Sequence, residues 1–138
     1  MALDVGSKRI GVAVSDPGAS FALPVATVER TNRKRDLERI AELIESYGVE
    51  ELVIGDPVTL SGERGPAAEQ MDGFVELLRG VFPGRIHRVD ERLTTAQATK
   101  SLIAADVSRR KRREVVDRMA AALILETFLA ARRREAGG

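Results

Sequence analysis

The chain has 138 residues, 43% of them hydrophobic, with 22 basic and 21 acidic side chains, one His and no Cys. That composition suits one folded domain over residues 1–138 and excludes a disordered chain, a disulfide framework, a thiolate metal site and a cysteine nucleophile. No apolar run approaches the roughly 20 residues needed to cross a bilayer, and the start lacks a signal-peptide layout, so a cytoplasmic protein without a membrane partner is expected.

The net charge of +1 hides an asymmetry. Residues 51–77 hold six acids and one base, whereas residues 108–118 hold six bases (Arg109, Arg110, Lys111, Arg112, Arg113, Arg118) and two acids. Solvated faces produce such runs, but so does a surface that meets a polyanion.

In chain order, "ALDV" and "RIGVAVSD" read as short strands joined by the tight "GSK" turn. "FALPVATVE" is a third strand, which Pro24 pushes towards an edge. Leu37, Ile40, Ala41 and Ile44 recur at helical spacing, predicting a helix over about 33–46 that Gly48 stops. "ELVIGD" is the near-continuous apolar run of a buried strand. A second helix is predicted from Pro66, with Ala67, Met71, Phe74, Leu78 and Val81 on one face. "GRIHRVDE" reads as a fifth strand, and Thr94 with Gln97 forms a capping box that opens another helix. A basic loop around 106–112 and a final helix over about 113–133 complete the chain. The expected class is α/β, a mixed five-stranded sheet with helices on both faces.

Three acids stand at informative places. Asp4 lies at the end of the first strand, on the face opposite Leu3 and Val5. Glu91 lies at the tip of the fifth strand, where open α/β sheets bind ligands, and Asp90 beside it must point the other way. Asp117 heads the apolar stripe of Ala120, Ala121, Ile124 and Phe128 on the last helix. An inward carboxylate needs a cation or protons. Each acid has a plain alternative: Asp4 can cap a turn, and Asp117 suits the first turn of a helix. Three acids on three elements that can meet at one sheet edge make the stronger case. Oxygen-only ligands suit Mg²⁺ or Mn²⁺, and a pair of such ions roughly 3.5–4 Å apart can hydrolyse a phosphodiester without His or Cys. His87 then reads as packing, and Ser15 and Asp16 as turn residues.

Phosphate contacts are expected from Arg109, Arg110, Lys111, Arg112 and Arg113, from Lys8 and Arg9 in the first hairpin, from Arg92, and from Thr94 and Thr95 at a helix N-terminus. With four Phe, one Tyr and no Trp, base stacking plays a limited part, so shape and backbone recognition are expected. "GDPVTLSGERG" reads as a mobile loop near the site.

"LDVGSKRIGVAVSD", "LVIGDPVTLSGERG", "VDERLTTAQA" and "VVDRMAAALIL" fall in order where the YqgF family, also called RuvX, carries its motifs. The chain resembles that family over nearly its whole length. The resemblance implies a ribonuclease H-like fold and a divalent-metal-dependent nuclease, a hydrolase acting on ester bonds. It implies maturation of the 5′ end of pre-16S ribosomal RNA, or resolution of Holliday junctions and other branched DNA. By motif it assigns catalytic and metal-binding roles to Asp4, Glu91 and Asp117. Asp56 stands where the family usually has an apolar residue, commonly Leu, and is a possible extra ligand or a mere repelling charge.

Two other classes compete. "DVGSKRIG" also resembles the phosphate-binding hairpin of actin-like and sugar kinases, but those need two such domains, and the length provides one. A non-catalytic RNA-binding ribosome-assembly factor is the second. The expected partner is nucleic acid, RNA before DNA. Monomer and homodimer both stay open, with Leu123, Leu125 or Leu129 as interface candidates.

Overall fold

The computed structural model describes residues 1–57, 63–91 and 109–137, the last segment with side chains from 115 to 136. Strands β1 (Ala2–Val5), β2 (Arg9–Ser15) and β3 (Ala22–Glu29) are followed by α1 (Arg33–Tyr47), β4 (Glu51–Asp56), α2 (Pro66–Arg79), β5 (Arg85–Asp90) and α3 (Arg109–Gly137).

The five strands form one sheet in the order β3-β2-β1-β4-β5. The first three strands are antiparallel neighbours, whereas β4 lies parallel to both β1 and β5. β1, β4 and β5 thus end at the same edge of the sheet, and β2 begins there. The Pro24 strand, β3, is one of the two edges, as its missing donor favours.

Local chemistry sets the helix ends. Asn32 caps α1 by accepting the Arg35 N–H at 3.0 Å, and Gly48, at φ 59°, closes it in the left-handed conformation that a Cβ would oppose. Pro66 opens α2, where a helix has no use for its missing donor.

Strand alternation sorts the core into two layers. Leu3, Ile10, Val12, Leu52 and Ile54 point to one face and pack against Ile40 of α1 and Met71, Phe74, Val75 and Leu78 of α2. Ala2, Ala13, Val53 and Val89 point to the other and meet Ala121, Ala122, Ile124, Leu125 and Leu129 of α3. Small residues on both sides let α3 lie close to the sheet. Burying each of the large aliphatic side chains contributes about 1.5–3 kcal/mol.

Three expectations change. The apolar face of α2 is turned: Ala68 and Val75 are buried, while Ala67 is exposed and Val81 is 43% exposed beyond the helix end. Offsets 0, 3, 7 and 10 from Ala68 fit the stripe as well as a phase starting at Ala67, and packing on the sheet decides. The segment expected as a basic loop is helical from Arg109, and α3 continues to Gly137 rather than ending near 133. Arg and Lys are good helix formers, which a charge count overlooks. Leu125 and Leu129 belong to the core under α3, so they are not interface residues, and Leu123 is half-buried. The capping box at Thr94 and Gln97 lies outside the described residues.

Candidate active site

Asp4 is the first side chain to place. It sits next to last in β1, 5% exposed, on the α3 face with Ala2. Its partner across the β1–β2 ladder is Gly11. The backbone of α3 passes so close to Gly11 that a Cβ there would overlap the Asp117 carbonyl group. A glycine in a strand interior is the signal for such an approach. Asp4 and Asp117 are thereby brought to the same strand residue from two sides.

Glu91 arrives from the other flank. Leu3 pairs with Ile54, so the next residues along, Asp4 and Gly55, lie side by side on β1 and β4. A Cβ on Gly55 would come within 2.9 Å of Glu91 Oε1 and 2.8 Å of Ile124 Cδ1. Glu91 directly follows β5 and shares the α3 face with Val89. Asp4 therefore has a glycine on each neighbouring strand, with Asp117 over one and Glu91 over the other.

Asp117 is held in place by a cation. Arg9, on the α3 face of β2, donates from Nε to Asp117 Oδ2 at 2.8 Å, with the two side chains 20% and 15% exposed. Among the described residues, no three carboxylate or imidazole side chains stand close enough together to hold one metal ion. Asp4, Glu91 and Asp117 each offer only carboxylate oxygen, the kind of ligand atom that a hard divalent ion takes.

Asp56 and Asp90 lie on the opposite face. They pair directly across β4 and β5. Asp56, 9% exposed, bonds to Arg64 and, at 2.8 Å, to Arg88, and both arginines also reach Asp72 of α2. Arg88 holds the Asp72 carboxyl below the usual carboxylate range, and Asp56 raises the pKa of Arg64. Asp56 is thus engaged away from Asp4. Arg64 and Arg88 carry no signal in the sequence, which has no periodicity that pairs them. Their network ties Asp56 to Arg64 on either side of residues 58–62, which lie outside the described residues.

The remaining candidates divide. Lys8 is exposed in the hairpin turn beside Arg9, and Arg109, Arg110, Lys111, Arg112 and Arg113 form the first turns of α3. Asp117 is eight residues into that helix, so the basic start projects about 12 Å beyond it. Arg92, Thr94 and Thr95 lie outside the described residues. His87 is half-buried, hydrogen-bonded to Glu51 at 2.9 Å with its ring 4.7 Å from that of Phe128. Asp16 accepts backbone N–H bonds from Phe21, Ser20 and Gly18, of which the Phe21 bond does most to lower its pKa, so it orders a turn.

A family model described as "RuvX: Holliday junction resolvase" matches residues 1–131. The chain belongs to the RuvX family. A relative from Desulforudis audaxviator named "Putative pre-16S rRNA nuclease" is 47% identical over 133 residues, covering 96% of this chain and 94% of its own. One of the same name from Moorella thermoacetica is 46% identical over 129 residues, covering 94% and 92%. Among solved structures, T. thermophilus RuvC in complex with a Holliday junction substrate superposes with a TM-score of 0.60 at 15% identity, over 95% of this chain and 92% of that one. At that identity the likeness concerns architecture, and it identifies this RuvX sheet with its flanking helices as ribonuclease H-like. No helix among the described residues is long and apolar enough to cross a membrane.

Proposed function

We propose that this RuvX chain is a nuclease that hydrolyses phosphodiester bonds with divalent metal, Mg²⁺ or Mn²⁺, and that its substrate is the 5′ region of pre-16S ribosomal RNA. The observation that carries this reading is the pair of glycines, Gly11 and Gly55, which flank Asp4 and admit Asp117 and Glu91 to either side of it. The names of the relatives from Desulforudis audaxviator and Moorella thermoacetica supply the substrate class.

Asp4, Glu91 and Asp117 would hold the metal, which supplies an activated water and a stabilised leaving oxygen when bound. Asp4 is kept from bulk solvent, which strengthens its interaction with any cation that reaches it. The basic start of α3 draws the phosphate backbone towards the same sheet edge without reading sequence. Resolution of Holliday junctions is the second reading, favoured by the description of the family model.

Labelled precursor RNA, single-stranded DNA and a four-way junction, offered in parallel with Mg²⁺ and with Mn²⁺, test both readings. Cleavage of the precursor RNA alone supports the first, and paired symmetric cuts in the junction support the second. Asp4→Asn, Glu91→Gln and Asp117→Asn should each abolish cleavage, whereas Asp90→Asn should keep much of it. Full activity of folded Glu91→Gln at saturating Mn²⁺ removes that residue from the site, and no cleavage of any substrate by the parent sinks the nuclease reading.

A further inference from the structure

Arg9 is anchored at both its backbone and its guanidinium. Its backbone is fixed by the hairpin: Arg9 O accepts the Gly6 N–H at 2.8 Å, and Arg30 closes the turn with bonds to the Gly6 and Lys8 carbonyls. Its guanidinium is fixed by Asp117, and Asp117 is fixed in turn by the contact of its own carbonyl with Gly11. Among the described residues, Asp117 is the one partner of that guanidinium, and it is engaged through Nε alone. A guanidinium carries five N–H donors in a rigid plane. The bond from Nε leaves four donors on the two terminal nitrogens, at a sheet edge that also carries Asp4.

Resting on the nuclease reading, we infer that Arg9 binds a phosphate of the substrate directly, with Asp117 as the residue that positions it. Asp117 orients its guanidinium through Nε, and the terminal nitrogens receive the non-bridging oxygens of a phosphodiester beside the acids. The same carboxylate that would serve the metal thereby aims the cation that seats the phosphate. Preorientation matters because a freely rotating arginine gives up side-chain entropy on binding, and this one has already done so. A lysine at this position offers a point charge but cannot span both anions with fixed geometry.

The test is binding of a fluorescent single-stranded RNA oligonucleotide in EDTA over a range of salt concentrations, with circular dichroism to check folding. Arg9→Gln should weaken binding about tenfold and lower the slope of log K against log salt by about 0.7, the value for one phosphate on a single strand. Arg9→Lys should restore the slope but leave affinity several-fold short of the parent. Lys34→Gln, which removes a charge from exposed α1, should leave both unchanged. Parental slope and affinity in folded Arg9→Gln, or parental affinity in Arg9→Lys, overturns the proposal. If Arg9→Gln does not fold, the lysine variant decides alone. Because no cleavage is measured, the outcome is separate from that of the nuclease reading: an inactive parent whose binding still depends on Arg9 would lose only the latter.

Discussion

The backbone carbonyl of Asp117 rests directly on Gly11, the strand partner of Asp4. Only hydrogen fits between them, so Gly11→Ala must push α3 off the sheet. We expect a destabilisation of about 1–3 kcal/mol, as for other overpacked sites, together with loss of cleavage. Gly73→Ala is the control. It lies mid-helix in α2 with nothing within 4 Å of the added methyl, and should stabilise by about 0.5–1 kcal/mol. Urea unfolding of the two variants checks both signs.

The network around Asp56 separates stability from activity. Asp56→Asn removes a charged acceptor from Arg64 and Arg88 on the face away from Asp4. It should cost about 1–3 kcal/mol in denaturant unfolding while the folded protein keeps its cleavage rate. A large fall in rate without a fall in stability would place Asp56 in the chemistry instead.

Glu51 predicts an acid limb to the stability curve. Arg132 and then His87 hold its carboxyl at about 2, against an ordinary 4.5. A depressed folded-state pKa means stability that is complete above pH 4.5 and is lost as pH falls towards 2. Glu51→Gln should flatten thermal melts across that window and leave the pH 6–8 region nearly parallel to the parent. The bridge is one-third exposed, so the change should be on the order of 0.5 kcal/mol. An unchanged acid limb would show that Glu51 does not report there.

Arg109, Arg110, Lys111, Arg112 and Arg113 are helical, so their roles are best tested with glutamine, which keeps helix propensity. The five-fold variant should bind RNA more weakly across sequences, with a salt slope lower by about 0.7 for each phosphate no longer neutralised. Circular dichroism should match the parent. An unchanged slope removes this end of α3 from the binding surface.

Much of this fold is written locally. The hairpin "LDVGSKRIG", the Gly48 stop and the apolar "LVIG" strand each depend on neighbours in sequence, and each stands where residue patterns put it. The faces of Asp4, Glu91 and Asp90 follow from the two-residue period of strands. What strand periodicity cannot carry is the distance between elements. Gly11 and Gly55 can mark a close approach, but nothing near them in sequence says that α3 and Glu91 are what lie against them. Arg64 and Arg88 are 24 positions apart in sequence; the β4–β5 register brings Arg88 to Asp56, and the segment leading into α2 brings Arg64. The phase of the α2 stripe and the start of α3 are settled by packing and helix propensity rather than by hydrophobic pattern alone.

One helix supplies both a proposed metal ligand and half of a core. α3 carries Asp117 near its start and is fastened at its other end by Phe128 against His87 and by Arg132 on Glu51 at 2.8 and 3.0 Å. Fifteen residues of helix separate Asp117 from Arg132, a rigid arm of about 22 Å. A tilt of roughly 3° at the fastened end swings the carboxylate through about 1 Å, a misplacement large enough to cost about 100-fold in rate. Small changes to Phe128 or Arg132, remote from every acid of the site, should therefore register as lost turnover well before they register as lost stability. The far rim of the sheet sets the aim of the near one.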